Sequence, residues 1–147
     1  MEALLSTIVT WLSIHFAMPA IHEHPRIEYV PPVQMAALRY RGLAGGPASL
    51  HTGANGIVAL YHRERKIIYL PEGWNARTPA EISVLVHEMV HHLQTFSGET
   101  WGCAQEMEKP AYRAQARFLE QYGTSLEQEF GIDGLTLIVR TNCMDLP

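Results

Sequence analysis

His87 and His91 stand four residues apart, and Glu88 directly follows the first of them in the run Val86-His87-Glu88-Met89-Val90-His91-His92. Residues four apart on a helix share one face, one turn apart. Two imidazoles placed this way can meet one Zn²⁺ at about 2.0–2.1 Å. Glu88, next to the first histidine, can reach a water on the metal without binding the ion itself, and can act as its general base. Such a string also arises by chance, so its surroundings have to carry weight. Here Ile82–Val86, Met89 and Val90 make the helix apolar on nearly all sides, which predicts a central buried helix. Polar side chains inside such a helix need partners, because burying them alone is costly. The bland alternative is a pair of hydrogen-bonded core histidines with Glu88 in solvent.

A catalytic zinc site of this type takes a third protein ligand. The metzincin continuation needs Gly at 94 and His at 97, and the chain has Gln94 and Ser97 instead, so that class is excluded. The only aspartates, Asp133 and Asp145, lie far down the chain. The next supply is Gln105-Glu106-Met107-Glu108-Lys109-Pro110-Ala111-Tyr112, with two candidate glutamates. Here the sequence resembles the gluzincin layout, an HExxH helix followed by a glutamate on a later helix. The wider string SVLVHEMVHHLQ, then Cys103, EKPAY, Gln115 and Cys143, is similar to a family of small uncharacterised bacterial proteins with zincin-like motifs. The likeness covers roughly 55–143, most strongly 82–119. It implies a zincin-like domain and a zinc site made by His87, His91 and Glu108, with an extended peptide lying along an edge strand. It supplies no substrate.

Helix geometry bears on the same choice. Glu106 and Glu108 are two apart and face different sides, whereas Glu108 shares a face with Tyr112 and Gln115 among apolar Ala111, Phe118 and Leu119. Glu108 is the preferred ligand, and Glu106 reads as a solvated carboxylate near a helix N-terminus. Tyr112 and Gln115 are candidates for site-adjacent positions, to stabilise an oxyanion or orient a ligand. A tyrosine at this spacing is otherwise a core residue with its hydroxyl satisfied. His92 points about 100° away from His91 and should find a partner elsewhere. His22 and His24 flank Glu23 in a proline-bounded loop, where a second metal is the sharper reading and a plain loop the favoured one. His15, His51 and His62 belong to no constellation.

The elements that must position these groups can be read from periodicity and punctuation. Thr78-Pro79-Ala80-Glu81 is a capping box with proline at the first helical position; the motif helix should run from there to about Phe96, ending near Gly98. A helix from about Met107 to Tyr122 follows, closed by Gly123, then a short helical piece at Leu126–Phe130 and a strand at Leu135–Arg140. Upstream, Leu5, Ile8, Val9, Leu12 and Phe16 recur at helical spacing and predict an amphipathic helix ending at Met18-Pro19. Arg26–Val30 is a strand, Val33–Tyr40 a second helix, and 42–56 a Gly- and Pro-rich loop. Ile57–Tyr61 and Ile67–Leu70 should form an antiparallel hairpin, with Ile67–Leu70 the edge along which a peptide would lie. The sum is one α+β domain over 1–147, mostly helical, with a small antiparallel sheet packed on the motif helix.

At 147 residues with 47% apolar content the chain can bury a real core without a disulfide framework. Its formal charge of -4 and few, scattered basic residues speak against a nucleic-acid partner. The opening segment lacks a positive n-region and is too interrupted to span a bilayer. Cys103 and Cys143 match no CxxC motif. They are two buried thiols, implying the cytoplasm, or a disulfide worth about 4 kcal/mol on the chain-entropy model, implying export. The leading expectation is a zinc-dependent hydrolase acting on peptide or protein substrates. The alternatives are a non-catalytic zinc-binding structural or regulatory module, and a metal-free helical interaction domain.

Overall fold

Thr78 and Glu81 start the helix on which the rest of the chain is arranged. In the computed structural model, which describes residues 1–45 and 59–144, the Thr78 hydroxyl accepts the Glu81 N–H at 3.1 Å and the Glu81 carboxylate accepts the Thr78 N–H at 3.1 Å. The Trp74 indole N–H adds a bond to the Glu81 carbonyl at 3.0 Å. In chain order the elements are α1 (Glu2–Phe16), β1 (Arg26–Val30), α2 (Pro32–Gly45), β2 (Leu60–His62), β3 (Ile67–Pro71), α3 (Pro79–Gln94), α4 (Ala104–Glu120), α5 (Leu126–Phe130) and α6 (Gly134–Thr141). The fold is α+β, as the periodicities imply.

Every residue of α3 from Ser83 to Gln94 is buried. The helix is enclosed by α1, α4 and β2, which is why its sequence is apolar on nearly all sides. Leu5, Ile8, Val9 and Leu12 of α1 enter this core together with Leu85, Met89 and Leu93 of α3 and Ala111 and Leu119 of α4. No helix among the described residues is long and apolar enough to cross a membrane.

The sheet departs from expectation in two ways. It is mixed, with β2–β3 antiparallel but β1–β3 parallel, Arg26 opposite Ile67 and Val30 opposite Pro71. The order is β1-β3-β2, so Ile67–Leu70 is the central strand and no edge at all. The physical reason lies in those residues: Ile67, Ile68, Tyr69 and Leu70 are all buried. An unbroken apolar run is the mark of a strand covered on both faces. Ile68 and Leu70 face the main core, while Ile67 and Tyr69 join Val30, Met35 and Leu60 in a second cluster.

Two further expectations need correction. Residues 135–140 are not a strand but part of α6, capped where the Asp133 carboxylate accepts the Thr136 N–H at 2.7 Å. The run Thr136-Leu137-Ile138-Val139, three of its four residues β-branched, reads as strand by composition, yet the cap and the inward side chains of Leu137 and Thr141, four apart, favour a helical turn against α4. The α4 helix also begins at Ala104, three residues before Met107. Its extra turn is held by the Glu106 carboxylate, which accepts the Gly102 N–H at 2.7 Å ahead of Pro110. Helix α2 extends from Pro32 to Gly45; from residue 46 the Gly- and Pro-rich loop, His51 and the first residues of the expected Ile57–Tyr61 strand lie outside the described residues. Cys103 and Cys143 form a disulfide, Cα–Cα 5.9 Å, that ties the end of the α6 segment to the start of α4.

Candidate metal centre

The i, i+4 spacing on α3 brings the His87 and His91 Nε2 atoms to 3.2 Å from each other. From α4, the Glu108 carboxylate reaches both: Oε2 lies 3.0 Å from His87 Nε2 and Oε1 lies 3.3 Å from His91 Nε2. Among the described residues this is the one cluster of three or more His, Cys, Asp or Glu side chains able to converge on an ion. Glu106 points elsewhere, to Gly102, as its position two residues away requires.

The partners of the other ring nitrogens decide which atoms face the centre. Gln94 donates its amide to the Met107 carbonyl at 2.9 Å, so its Oε1 must be the atom 2.8 Å from His91 Nδ1. An amide oxygen only accepts; His91 Nδ1 therefore carries the proton. The same logic runs through Gln115. Ser83 donates its hydroxyl to the Ala80 carbonyl at 2.8 Å and so accepts from Gln115 Nε2 at 3.2 Å. That leaves Gln115 Oε1 to accept from His87 Nδ1 at 2.9 Å. Both imidazoles are held as Nδ1–H donors, which turns both Nε2 atoms toward the carboxylate.

These separations suit a metal. Donors on a tetrahedral ion at about 2.0–2.1 Å stand about 3.3–3.5 Å apart; here the two Nε2 atoms are 3.2 Å apart, and each meets its own oxygen of Glu108, at 3.0 Å and 3.3 Å. Two neutral imidazoles and one carboxylate, with each histidine oriented by a second hydrogen bond, are a donor set that zinc favours. Without an ion, protons take its place. Burial works against a charged His91, but the Glu108 carboxylate overrides it and raises His91 to about 9. Burial would raise Glu108 too, yet His91 and His87 hold it far below the usual carboxylate range.

Glu88 lies on the same helix, fully buried. Burial pushes its carboxyl up to about 7, against the pull of His87 and His91 and with Glu108 adding to the rise; the backbone of Tyr61 in β2 hydrogen-bonds to it. A carboxyl near neutrality is in the range a proton acceptor needs. Tyr112 packs its ring edge-on to His87, centroids 4.7 Å apart, and its hydroxyl accepts from Arg140 at 2.9 Å. Burial raises this hydroxyl to about 12 even with Arg140 beside it.

The structure thus gathers His87, Glu88, His91, Glu108, Tyr112 and Gln115 in one place. His92 stands apart, its Nε2 donating to the Glu23 carbonyl at 2.6 Å and its Nδ1 meeting the Tyr61 hydroxyl at 3.1 Å. His24 faces Glu2 at 2.7 Å and Ser6 at 3.4 Å. Ser83, Gln94 and Arg140 were not foreseen as neighbours of the site. Gln94, three residues past His91, was reachable by helix spacing; Arg140 gives no local signal, because its place depends on α6.

An α+β domain with a buried pair of histidines and a glutamate across two helices is the class that fold and cluster define. The family model described as Domain of unknown function (DUF6647) matches residues 1–145, and the chain belongs to that family. No curated protein and no solved structure matches it.

Proposed function

We propose that the protein is a zinc-dependent hydrolase acting on peptide bonds, with His87, His91 and Glu108 as metal ligands and Glu88 as general base. The observation that carries the reading is the convergence of two Nε2 atoms and a carboxylate at 3.0–3.3 Å, with each Nδ1–H tied to a glutamine. Bound there, zinc would supply a Lewis acid that polarises a carbonyl and makes water a nucleophile at neutral pH. Glu88 takes the proton from the attacking water and passes it to the departing amine. Gln115 and Gln94 keep the imidazoles in one tautomer and one orientation. Tyr112, held by Arg140, offers its hydroxyl to charge developing on the substrate oxygen.

The peptide would add to the sheet at β2, an end of the order β1-β3-β2 that touches α3 and whose Tyr61 backbone reaches Glu88. The disulfide supports export to an oxidising compartment.

A second reading, a closed zinc site of structural or regulatory use, draws support from the complete burial of His87 and Glu88. Metal analysis by mass spectrometry tests what both readings share: stoichiometric zinc in wild type, lost in His87→Ala. Two measurements then separate them. Glu88→Gln should keep zinc and abolish peptide hydrolysis, since the amide cannot accept the proton. A hydroxamate should shift the visible spectrum of the cobalt-substituted protein if a coordination position is open. An unchanged spectrum would favour the closed site, and undiminished hydrolysis in Glu88→Gln would remove Glu88 from the chemistry.

A further inference from the structure

Tyr112 also lines a cleft of about 770 Å³ formed by side chains of α4, α6 and the end of α1. None of His87, His91 and Glu108 lines it. Its lining combines cations from α4 with apolar and polar side chains from α1 and α6. On the α4 side Lys109, Arg113 and Arg117 follow one another at four-residue intervals, which sets three cations on one face. Across from them Phe16, Leu137 and Ile138 give an apolar floor and rim, with Ile138 60% exposed.

The charges do not cancel. Glu120 is the one carboxylate of the lining, and it is held by Arg117 at 3.2 Å. Lys109 and Arg113 have no ion-pair partner among the described residues, so the described lining holds more cations than carboxylates. A partly enclosed cleft of this size suits a small molecule, since such sites run about 300–1,000 Å³. An apolar floor facing two unmatched cations suits one class best: a short acyl or aryl body ending in a carboxylate.

We propose that the cleft between α4 and α6 is a binding site for a small amphipathic carboxylate, its anionic end on Lys109 and Arg113 and its apolar body against Leu137, Ile138 and Phe16. The site is separate from the metal ligands and does not depend on the zinc reading. The Tyr112 ring is the wall the two share.

Calorimetric titration of the full chain with octanoate tests the proposal, run with and without chelator because a carboxylate can also bind zinc. The expected result is saturable binding of one octanoate, equal in both conditions. A hydrogen bond to a charged group contributes about 1.5–3 kcal/mol, so octan-1-ol should bind at least ~10-fold more weakly. Lys109→Gln/Arg113→Gln should lose octanoate affinity by a similar factor. Both side chains are exposed, and circular dichroism checks that the variant is folded. Ile138→Asn, also at an exposed position, should weaken octanoate and octan-1-ol alike. Absence of saturable binding, equal affinity for the alcohol, or an unchanged double variant would overturn the assignment. So would binding that disappears with chelator, which would put the carboxylate on the metal centre.

Discussion

Replacing Gln115 by leucine isolates the hydrogen bond that orients His87. Gln115 is fully buried, and its Oε1 accepts from His87 Nδ1 at 2.9 Å while its Nε2 donates to Ser83. Leucine fills similar space but accepts nothing, so it strands the His87 Nδ1–H in a site from which the ring is wholly excluded from water. An unsatisfied buried donor costs about 1–3 kcal/mol. The metal-free protein can avoid that cost by moving the proton to Nε2, where Glu108 accepts it at 3.0 Å. The zinc-bound protein cannot, because Nε2 is then the ligand atom. The penalty therefore falls on the bound state, and zinc affinity should drop by about 10–100-fold, the range found for partners that orient metal ligands. Gln115→Glu restores an acceptor and should recover most of the loss. Gln94→Leu should lose less than Gln115→Leu, because the His91 side chain is 8% exposed and water can take the place of the amide. Competition with a chromophoric chelator measures all three. Wild-type affinity in Gln115→Leu would refute the tautomer argument, and an equal loss in Gln115→Glu would show that Gln115 acts through packing alone.

Glu108→Ala should weaken zinc binding far more than Glu106→Ala, and in excess zinc should melt at a lower temperature, because only Glu108 faces the histidines; equal affinities by zinc titration would mean that neither is a ligand. Thr78→Ala removes the cap of α3 and should cost about 1 kcal/mol, a melting shift of roughly 3 °C for a chain of this size; scanning calorimetry reads it, and an unchanged melting temperature would show that the capping box is redundant. His92 has a folded pKa below its ordinary 6.5, first through burial and further through Lys66 and His24, against the Glu23 carbonyl and carboxylate that favour the charged form. The unfolded chain therefore binds more protons as pH falls below about 6.5, and the stability held above that value is lost through the lowered folded pKa. Melts in chelator from pH 7 to 5 should fall more steeply in wild type than in His92→Gln, and parallel curves would refute this.

The parts of the site that share one helix were legible because a helix fixes their geometry. The i, i+4 pair, the cap at Thr78 and the all-round apolar run place His87, Glu88 and His91 without reference to the rest of the chain. Glu108 was legible one step further, from its shared face with Tyr112 and Gln115. The errors concern partners supplied by distant segments. The run Ile67-Ile68-Tyr69-Leu70 reads as a strand, but its central position depends on β1 returning in parallel, which turn residues near the hairpin do not encode. Residues 135–140 have strand-like composition, and only the Asp133 cap and the surface offered by α4 make them helical. Arg140 reaches Tyr112 because of that helix, so one wrong element hid one neighbour of the site.

The α4 helix explains why the two candidate sites are adjacent yet distinct. Glu108, Tyr112 and Gln115 recur at intervals of four and three and turn toward α3, where Gln115 and Tyr112 are buried. Lys109, Arg113 and Arg117, each shifted by at most two positions, turn outward to the cleft. A helix advances about 100° per residue, so this small offset separates a face that must exclude water from one that must meet it. The inner stripe can carry Glu108 and Gln115 because α3 supplies partners for both; the outer stripe keeps its charges because solvent does the same work. Tyr112 is the exception, since its ring touches His87 on one side and lines the cleft on the other. Its hydroxyl is held by Arg140 from α6, and the α6 segment is tied back to the start of α4 by the Cys103–Cys143 disulfide. The covalent link thus ties together the two helical segments that line the cleft, the same segments that bring Arg140 to Tyr112.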